Sequence, residues 1–481
     1  MDEAEADLRL EASISGLADR VPEVSVRRLL PLGQRRILIA LGVFLLGGLV
    51  VSPMDTLIAL AGVITLVYAV CIAYRIFLFL RSTRSDESGV VSDEEARAIH
   101  DVDLPSYTVL IPAYREPEVI NHLVANIGRL EYPQEKLEVL VLVEADDDET
   151  INAISAEHVG GNFELVFVPP AEPRTKPKAL NFGLTLARGD LVAVFDVEDE
   201  PDSLQLRRAA VAMSRMGPEV GCVQAKLSYN NPDQNLITKW FTIEYAMWFI
   251  FFLPGLASLN APIPLGGTSN HFRRSVLRKL GGWDPFNVTE DADLGIRMFR
   301  EGYRVRVLES TTLEEANSDF VNWVKQRSRW YKGYLQTLLV HLRDPRELVH
   351  EMGWKGLAHF AIFVGGTPVL AVLNPVFWVL TLLWFVGHPM LIQEIFPAPV
   401  YYVGLFCWVF GTFLLGYLTL LSCRITRRGE FLWAALVVPV YWVMMSMAAA
   451  KAIWQLVGSP TLWEKTTHGL DKHSLPERSA A

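Results

Sequence analysis

Glu290-Asp291-Ala292-Asp293 packs three carboxylates into four residues, just after the turn-rich run Gly281-Gly282-Trp283-Asp284-Pro285. Downstream, Gln326-Arg327-Ser328-Arg329-Trp330 sets two guanidinium groups beside an indole. An acid cluster can remove a proton from a hydroxyl, and a cationic and aromatic cluster can hold a phosphate and a sugar ring. Together they supply the chemistry that sugar transfer needs.

Two further acidic groups follow β-rich runs. Leu137 to Val143 leads into Glu144-Ala145-Asp146-Asp147-Asp148-Glu149, and Leu191 to Phe195 leads into Asp196-Val197-Glu198-Asp199-Glu200. Tyr107 to Ile111 is a third such run, followed by Pro112-Ala113-Tyr114-Arg115-Glu116-Pro117. With Leu165 to Val168 as another strand, and helical patterning over Val119 to Leu130 and Ala179 to Ala187, the middle of the chain alternates strands and helices. That alternation predicts an α/β domain with a mostly parallel sheet covered on both faces. Ligands of such sheets sit at the carboxyl ends of the strands, where the acids fall. Acids there also serve as helix caps and solvated turns, but repeated clusters fit a divalent cation better. Hard oxygen donors suit Mg²⁺ or Mn²⁺ bridging carboxylates and substrate phosphates. Asp196 and Glu198 alternate along an extended segment, so both can reach one ion. Arg174-Thr175-Lys176-Pro177-Lys178 offers cations for the same phosphates, and no Gly-rich phosphate loop is present.

The domain is flanked by apolar runs. Of 481 residues, 51% are hydrophobic and 20% charged, and the hydrophobic ones concentrate at Ile37–Val51, Thr56–Leu80, Pro368–Val386, Tyr401–Leu421 and Phe431–Val457. Segments near 20 apolar residues span a bilayer. Arg27, Arg28, Arg35 and Arg36 precede the first run, and Arg81 and Arg84 follow the second. By the positive-inside rule both ends of this hairpin, and the domain after it, face the cytoplasm of a multi-pass cell-membrane protein. Residues 1–35 read as a mobile acidic segment, 36–84 as two membrane helices, 100–345 as the catalytic domain, 354–457 as an interfacial helix with about three membrane segments, and 458–481 as a tail. Trp240–Leu253 and Trp354–Thr367 are expected to lie in the membrane interface. A three-span count would put Trp463 outside, and an even number of crossings would return it to the cytoplasm. A formal net charge of −10 argues against a nucleic-acid partner. Cys71, Cys222, Cys407 and Cys423 have neither metal-ligand nor disulfide spacing.

In order, Ile111-Pro112-Ala113-Tyr114-Arg115-Glu116-Pro117, Lys176-Pro177-Lys178-Ala179-Leu180-Asn181, Asp196-Val197-Glu198, Gly266-Gly267-Thr268-Ser269-Asn270, Thr289-Glu290-Asp291 and Gln326-x-x-Arg329-Trp330 resemble the processive, membrane-embedded family 2 glycosyltransferases, the group of cellulose, chitin and hyaluronan synthases. The resemblance implies a GT-A, Rossmann-like cytoplasmic domain inserted between transmembrane helices with amphipathic interfacial helices. It implies an inverting enzyme that elongates, and can export, a β-linked polysaccharide from a UDP-sugar such as UDP-glucose or UDP-N-acetylglucosamine. Carried over, Tyr114, Glu116 and either Glu144 or Asp146 contact the nucleotide, and Lys176 lies near the diphosphate. Asp196 and Glu198 hold the nucleotide sugar and the metal. Asp291, with Glu290 beside it, is the general base, and Gln326, Arg329 and Trp330 form the diphosphate and acceptor platform. Two positions depart from the pattern: Glu144 stands where a pair of adjacent aspartates usually begins, and Glu198 turns D-x-D into D-x-E. Two other functions compete: transfer of a single sugar to a polyprenyl phosphate, and a regulatory subunit that only binds nucleotide sugar. Accessory subunits, the sugar and the linkage are not written in any motif.

Overall fold

A computed structural model describes residues 3–83, 89–156, 161–388 and 390–464. Arg84 and the tail from Lys465 onward lie outside the described residues.

Eight strands form one sheet: β1 Tyr107–Ala113, β2 Leu137–Glu144, β3 Phe163–Val168, β4 Leu191–Val194, β5 Glu200–Pro201, β6 Val220–Tyr229, β7 Asn270–Arg273 and β8 Arg304–Glu314. Their order is β3-β2-β1-β4-β7-β6-β8-β5. β1, β2, β3 and β4 are mutually parallel, as the strand–helix alternation predicts. β7 enters antiparallel between β4 and β6, so the sheet is mixed. Only four residues long, β7 has too little length for a periodic signal. β1, β2 and β4 bury both faces: Leu110, Leu140, Leu142 and Val192 pack on one side, Val109, Val139, Val141 and Ala193 on the other. Such strands read as continuous apolar runs.

The N-terminus differs from expectation. Residues 3–20, read as mobile, form a helix docked on the helix Lys176–Leu186. Ser13 and Leu17 are buried, Arg9 Nη1 donates to the Thr185 carbonyl (3.1 Å), and Asn181 Nδ2 donates to the Ser13 carbonyl (3.0 Å). Leu10, Ser13 and Leu17 recur at helical spacing while the acids face outward. High acidity alone therefore did not mean disorder.

Among the described residues six helices are long and apolar enough to cross a membrane: Leu32–Val51, Pro53–Ser82, Leu236–Ser258, Pro345–Gly387, Ala398–Ile425 and Val438–Gly458. Leu236–Ser258 contains the segment expected in the interface. Pro345–Gly387 breaks at Gly353, whose φ of 67° is left-handed, and its apolar part starts at Trp354. The expected span 431–457 is divided into a short helix Leu432–Leu436 and Val438–Gly458, with Pro439 in the first turn of the second. Val438–Gly458 lies lengthwise on the domain helix Phe320–His341. Near its start Tyr441 meets Trp323 (ring centroids 5.1 Å), and just past its end Gln336 Nε2 donates to the Pro460 carbonyl (2.7 Å). Residues 459–464 therefore pack back against the helix Phe320–His341.

Candidate active site

The strand ends, two helix N-termini and one face of Phe320–His341 enclose a cavity of about 640 Å³. Tyr114, Glu116, Glu144, Lys176, Asp196, Glu198, Glu290, Asp291, Gln326, Arg329 and Trp330 all border it. Of the candidate residues only Asp146 does not.

At one end, Glu144 closes β2. Its Oε1 accepts from Lys178 Nζ at 2.6 Å, and Oε2 has no hydrogen-bond partner among the described residues. Lys178 is fully buried and also donates to the Ala171 carbonyl (3.1 Å). Burial raises the Glu144 carboxyl above its ordinary pKa, with Lys178 opposing. Asp146 instead pairs with Arg174 (2.7 Å) at the rim. Of the two acids, Glu144 is thus the one that borders the cavity.

In the middle, Lys176 opens the helix Lys176–Leu186 and ion-pairs with Asp196, and its Nζ donates to the Gly267 carbonyl at 2.9 Å. Burial works against the Lys176 charge, but Asp196 and Glu290 outweigh it and hold the ammonium above its usual range. Gly267 lies beside both groups: a Cβ there would stand in ordinary contact, 3.4 Å from Asp291 Oδ2 and 3.9 Å from Lys176 Nζ. Asp199, third in the acidic run, turns away as a brace, accepting from the Asp196 N–H (2.7 Å) and from the Thr268 hydroxyl.

Asp196 and Glu198 leave two carboxylates facing the cavity one residue apart, and Glu314 borders it from the end of β8. Among the described residues no three His, Cys, Asp or Glu side chains converge as a complete metal cage. The donor set nevertheless fits Mg²⁺ or Mn²⁺: all-oxygen, incomplete, and beside cations for a diphosphate, with substrate oxygens and water left to complete the shell. Glu314 was missed in the sequence. It is the last residue of a strand, so the strand-end rule applied to β8 would have found it.

Glu290 and Asp291 begin the helix Glu290–Arg300, where the helix dipole favours negative charge. The Ala292 N–H donates to Asp291 Oδ1 at 2.8 Å. Burial, then the neighbouring Asp291 charge, pushes the Glu290 carboxyl up strongly. Burial also raises Asp291, held in check by the Ala292 N–H, Lys176 and Arg329. Both carboxyls are thus held above their ordinary range, with Lys176 and Arg329 opposing the rise at each. Asp293 points the other way into a buried network, with Arg297 Nε at 2.7 Å and His341 Nε2 at 3.0 Å.

The helix Phe320–His341 presses closely on this helix. A Cβ on Gly333 would stand 2.1 Å from Thr289 Oγ1 and 2.5 Å from its Cγ2. Gly333→Ala is expected to cost about 2 kcal/mol through overpacking and to displace Asp291 with its helix. Thermal unfolding and turnover of the variant check this; parent-like values for both would show that the contact relaxes freely.

Farther along Phe320–His341, Gln326 Oε1 accepts from Asn317 Nδ2 (2.9 Å), and the Arg329 guanidinium lies 4.6 Å from the Trp463 ring centroid. Arg327 is 4.5 Å from the Trp330 ring centroid and pairs with Glu244 (2.9 Å from Nη1), which also accepts from the Tyr441 hydroxyl (2.7 Å). Beyond Trp330 the cavity continues between apolar helices, past Ile72, Trp248, Leu370 and Met445.

A mainly parallel sheet with β7 and the two-residue edge strand β5 reversed, carrying its acids at the strand ends, is a GT-A glycosyltransferase fold. Over 82% of this chain and 99% of the other it superposes, with a TM-score of 0.53 and 20% identity, on a mannosyltransferase from Pyrobaculum calidifontis solved with GDP-Man and Mn²⁺. Residues 105–333 match the family described as glycosyltransferase like family 2, so this part of the chain is a family 2 glycosyltransferase domain. It is 27% identical over 271 residues to a probable glycosyltransferase of Bacillus subtilis, covering 55% of this chain and 64% of that protein. It is 30% identical over 240 residues to a beta-monoglucosyldiacylglycerol synthase of Trichormus variabilis, covering 49% and 50%. With a poly-beta-1,6-N-acetyl-D-glucosamine synthase of Staphylococcus aureus it shares 26% over 238 residues, covering 49% and 56%. The chain thus spans between half and two-thirds of the length of these relatives.

Proposed function

We propose that this protein is an inverting β-glycosyltransferase of the cell membrane, with its catalytic domain in the cytoplasm, that takes a UDP-sugar, UDP-glucose or UDP-N-acetylglucosamine, with Mg²⁺ or Mn²⁺. The observation that carries the reading is one cavity bordered by Glu144, the Lys176–Asp196 pair, Asp291 and the apolar helices. A carboxylate acceptor at Glu144 suits the one N–H of uracil. A divalent ion beside Asp196 and Glu198 would neutralise the leaving diphosphate. Lys176 and Arg329 add charge to the same end. Asp291 takes the proton of the acceptor hydroxyl as its oxygen bonds to the anomeric carbon. The bond from that carbon to the diphosphate breaks, and UDP leaves with the electron pair. Displacement from one side turns an α-linked donor into a β-linkage.

Repeated addition to a growing polysaccharide is the first reading, supported by Gln326, Arg329 and Trp330 beside Asp291. A single transfer to a lipid hydroxyl is the second, favoured by the apolar far half of the cavity and by the glycolipid-forming relatives. Purified protein given a panel of UDP-sugars, with UDP release followed and products sized and digested with linkage-specific glycosidases, tests both. No UDP release from any sugar overturns the proposal; one sugar per acceptor selects the second reading.

Trp330→Ala is expected to lower acceptor transfer roughly ten- to a hundredfold, from the loss of about 1–3 kcal/mol of aromatic contact. Donor hydrolysis by water should fall less, since it needs no acceptor. Equal loss of both in a folded variant would make Trp330 a packing residue, held by Arg327 and Phe241.

A further inference from the structure

The apolar half of the cavity holds a charge that transfer at Asp291 does not use. Arg75 lies in the helix Pro53–Ser82, seven residues before its end, or about 10 Å along the axis. Its side chain borders the cavity. Nη2 donates to Thr367 Oγ1 at 3.2 Å, and the guanidinium stands 5.3 Å from the Phe252 ring centroid. Thr367 gives its own proton to the Phe363 carbonyl (2.7 Å), so its oxygen is left to accept from Arg75.

Among the described residues no carboxylate is within ion-pair distance of Arg75. Glu244, the acid on the same side of the cavity, is already taken by Arg327 and Tyr441. Of the two guanidinium groups between these apolar helices, only Arg327 therefore has a carboxylate partner among the described residues. A charge in such surroundings is costly and marks a ligand path more often than a structural contact. An arginine used only to satisfy itself would extend toward the helix end and water. Arg75 turns inward instead, with most of its five donors unused by protein.

We propose that Arg75, held in place by Thr367, forms an oxyanion subsite, and that the first acceptor is a lipid whose head group carries both an anion and the hydroxyl that receives the sugar. Apolar walls at Ile72, Trp248, Leu370 and Met445 fit the tail side of such a molecule. The general base separates the two groups: a phosphate oxygen attacking directly is already ionised and needs no Asp291, whereas a hydroxyl does. The anion is thus held by Arg75 while a different oxygen of the same head group reaches the anomeric carbon. This rests on the glycosyl-transfer reading and holds whether one sugar or many are added.

The test uses the full chain in phosphatidylcholine nanodiscs with a reactive UDP-sugar. Each disc carries one added lipid: phosphatidylglycerol (hydroxyl and phosphate), glucuronosyl diacylglycerol (hydroxyls and carboxylate), diacylglycerol (hydroxyl alone) or phosphatidic acid (anion alone). Labelled sugar in the lipid fraction is expected to exceed the diacylglycerol value about tenfold for at least one of the first two, which separates phosphate from carboxylate as the source. Phosphatidic acid should inhibit. Arg75→Gln should collapse the acidic-to-neutral ratio toward one, mainly through the acceptor KM, and Arg75→Lys should restore part of it. Retention of phosphatidic acid per protein through detergent exchange reads the subsite without turnover, and should drop in Arg75→Gln. Equal transfer to neutral and acidic lipids, or equal retention by parent and variant, overturns the subsite. UDP release without any lipid product leaves the transfer reading intact while refuting the lipid acceptor. No UDP release in any arm defeats the transfer reading itself, with retention still deciding the subsite.

Discussion

Asp291→Asn is expected to lower transfer by about 10² to 10⁴-fold, the range contributed by a positioned general base. Shape and the Ala292 N–H contact survive the change, so binding of UDP-sugar should stay close to the parent. In the parent, kcat/KM should fall as acid protonates Asp291. Because burial raises that carboxyl, the acid limb should lie above the ordinary aspartate value of about 4. Rapid-quench turnover of the variant and a pH profile of the parent check the two parts. Turnover within a few-fold of the parent would remove Asp291 from the chemistry.

Excess EDTA is expected to abolish transfer, and Mg²⁺ or Mn²⁺ to restore it. The reason is electrostatic. Asp196, Glu198 and Glu314 border the region meant for a doubly charged leaving group, and Lys176 and Arg329 alone leave that charge poorly balanced. Loss of several kcal/mol of transition-state stabilisation corresponds to roughly a thousandfold or more in rate. Undiminished turnover in EDTA would make Asp196 and Glu198 structural acids neutralised by Lys176.

The catalytic half was largely legible because its signals are local. Continuous apolar runs marked β1, β2 and β4, and the polar residues just past them had to lie at the sheet's carboxyl edge. Tyr114, Glu144, Asp196 and Glu198 reach one cavity for that reason, and Lys176 and Asp291 reach it from helix N-termini. β7 and Glu314 escaped notice. One is too short for periodicity, and the other follows a strand whose half-buried pattern is irregular.

Sequence alone determined the alternating α/β domain, the apolar helices around it and the acids at its strand ends, since each depends on residues close together in the chain. Tertiary structure decided what depends on distant partners. It set Glu144 against Lys178 at the cavity wall and Asp146 against Arg174 at the rim. It bound the acidic N-terminal helix to Asn181 and Thr185, and laid Val438–Gly458 along Phe320–His341, returning Trp463 to Arg329. It also left Arg75 facing the cavity without a carboxylate, while Glu244 went to Arg327. Hydrophobic periodicity is carried by neighbours in sequence; the pairing of buried charges is settled only when helices far apart in sequence pack and compete for the same few counter-ions.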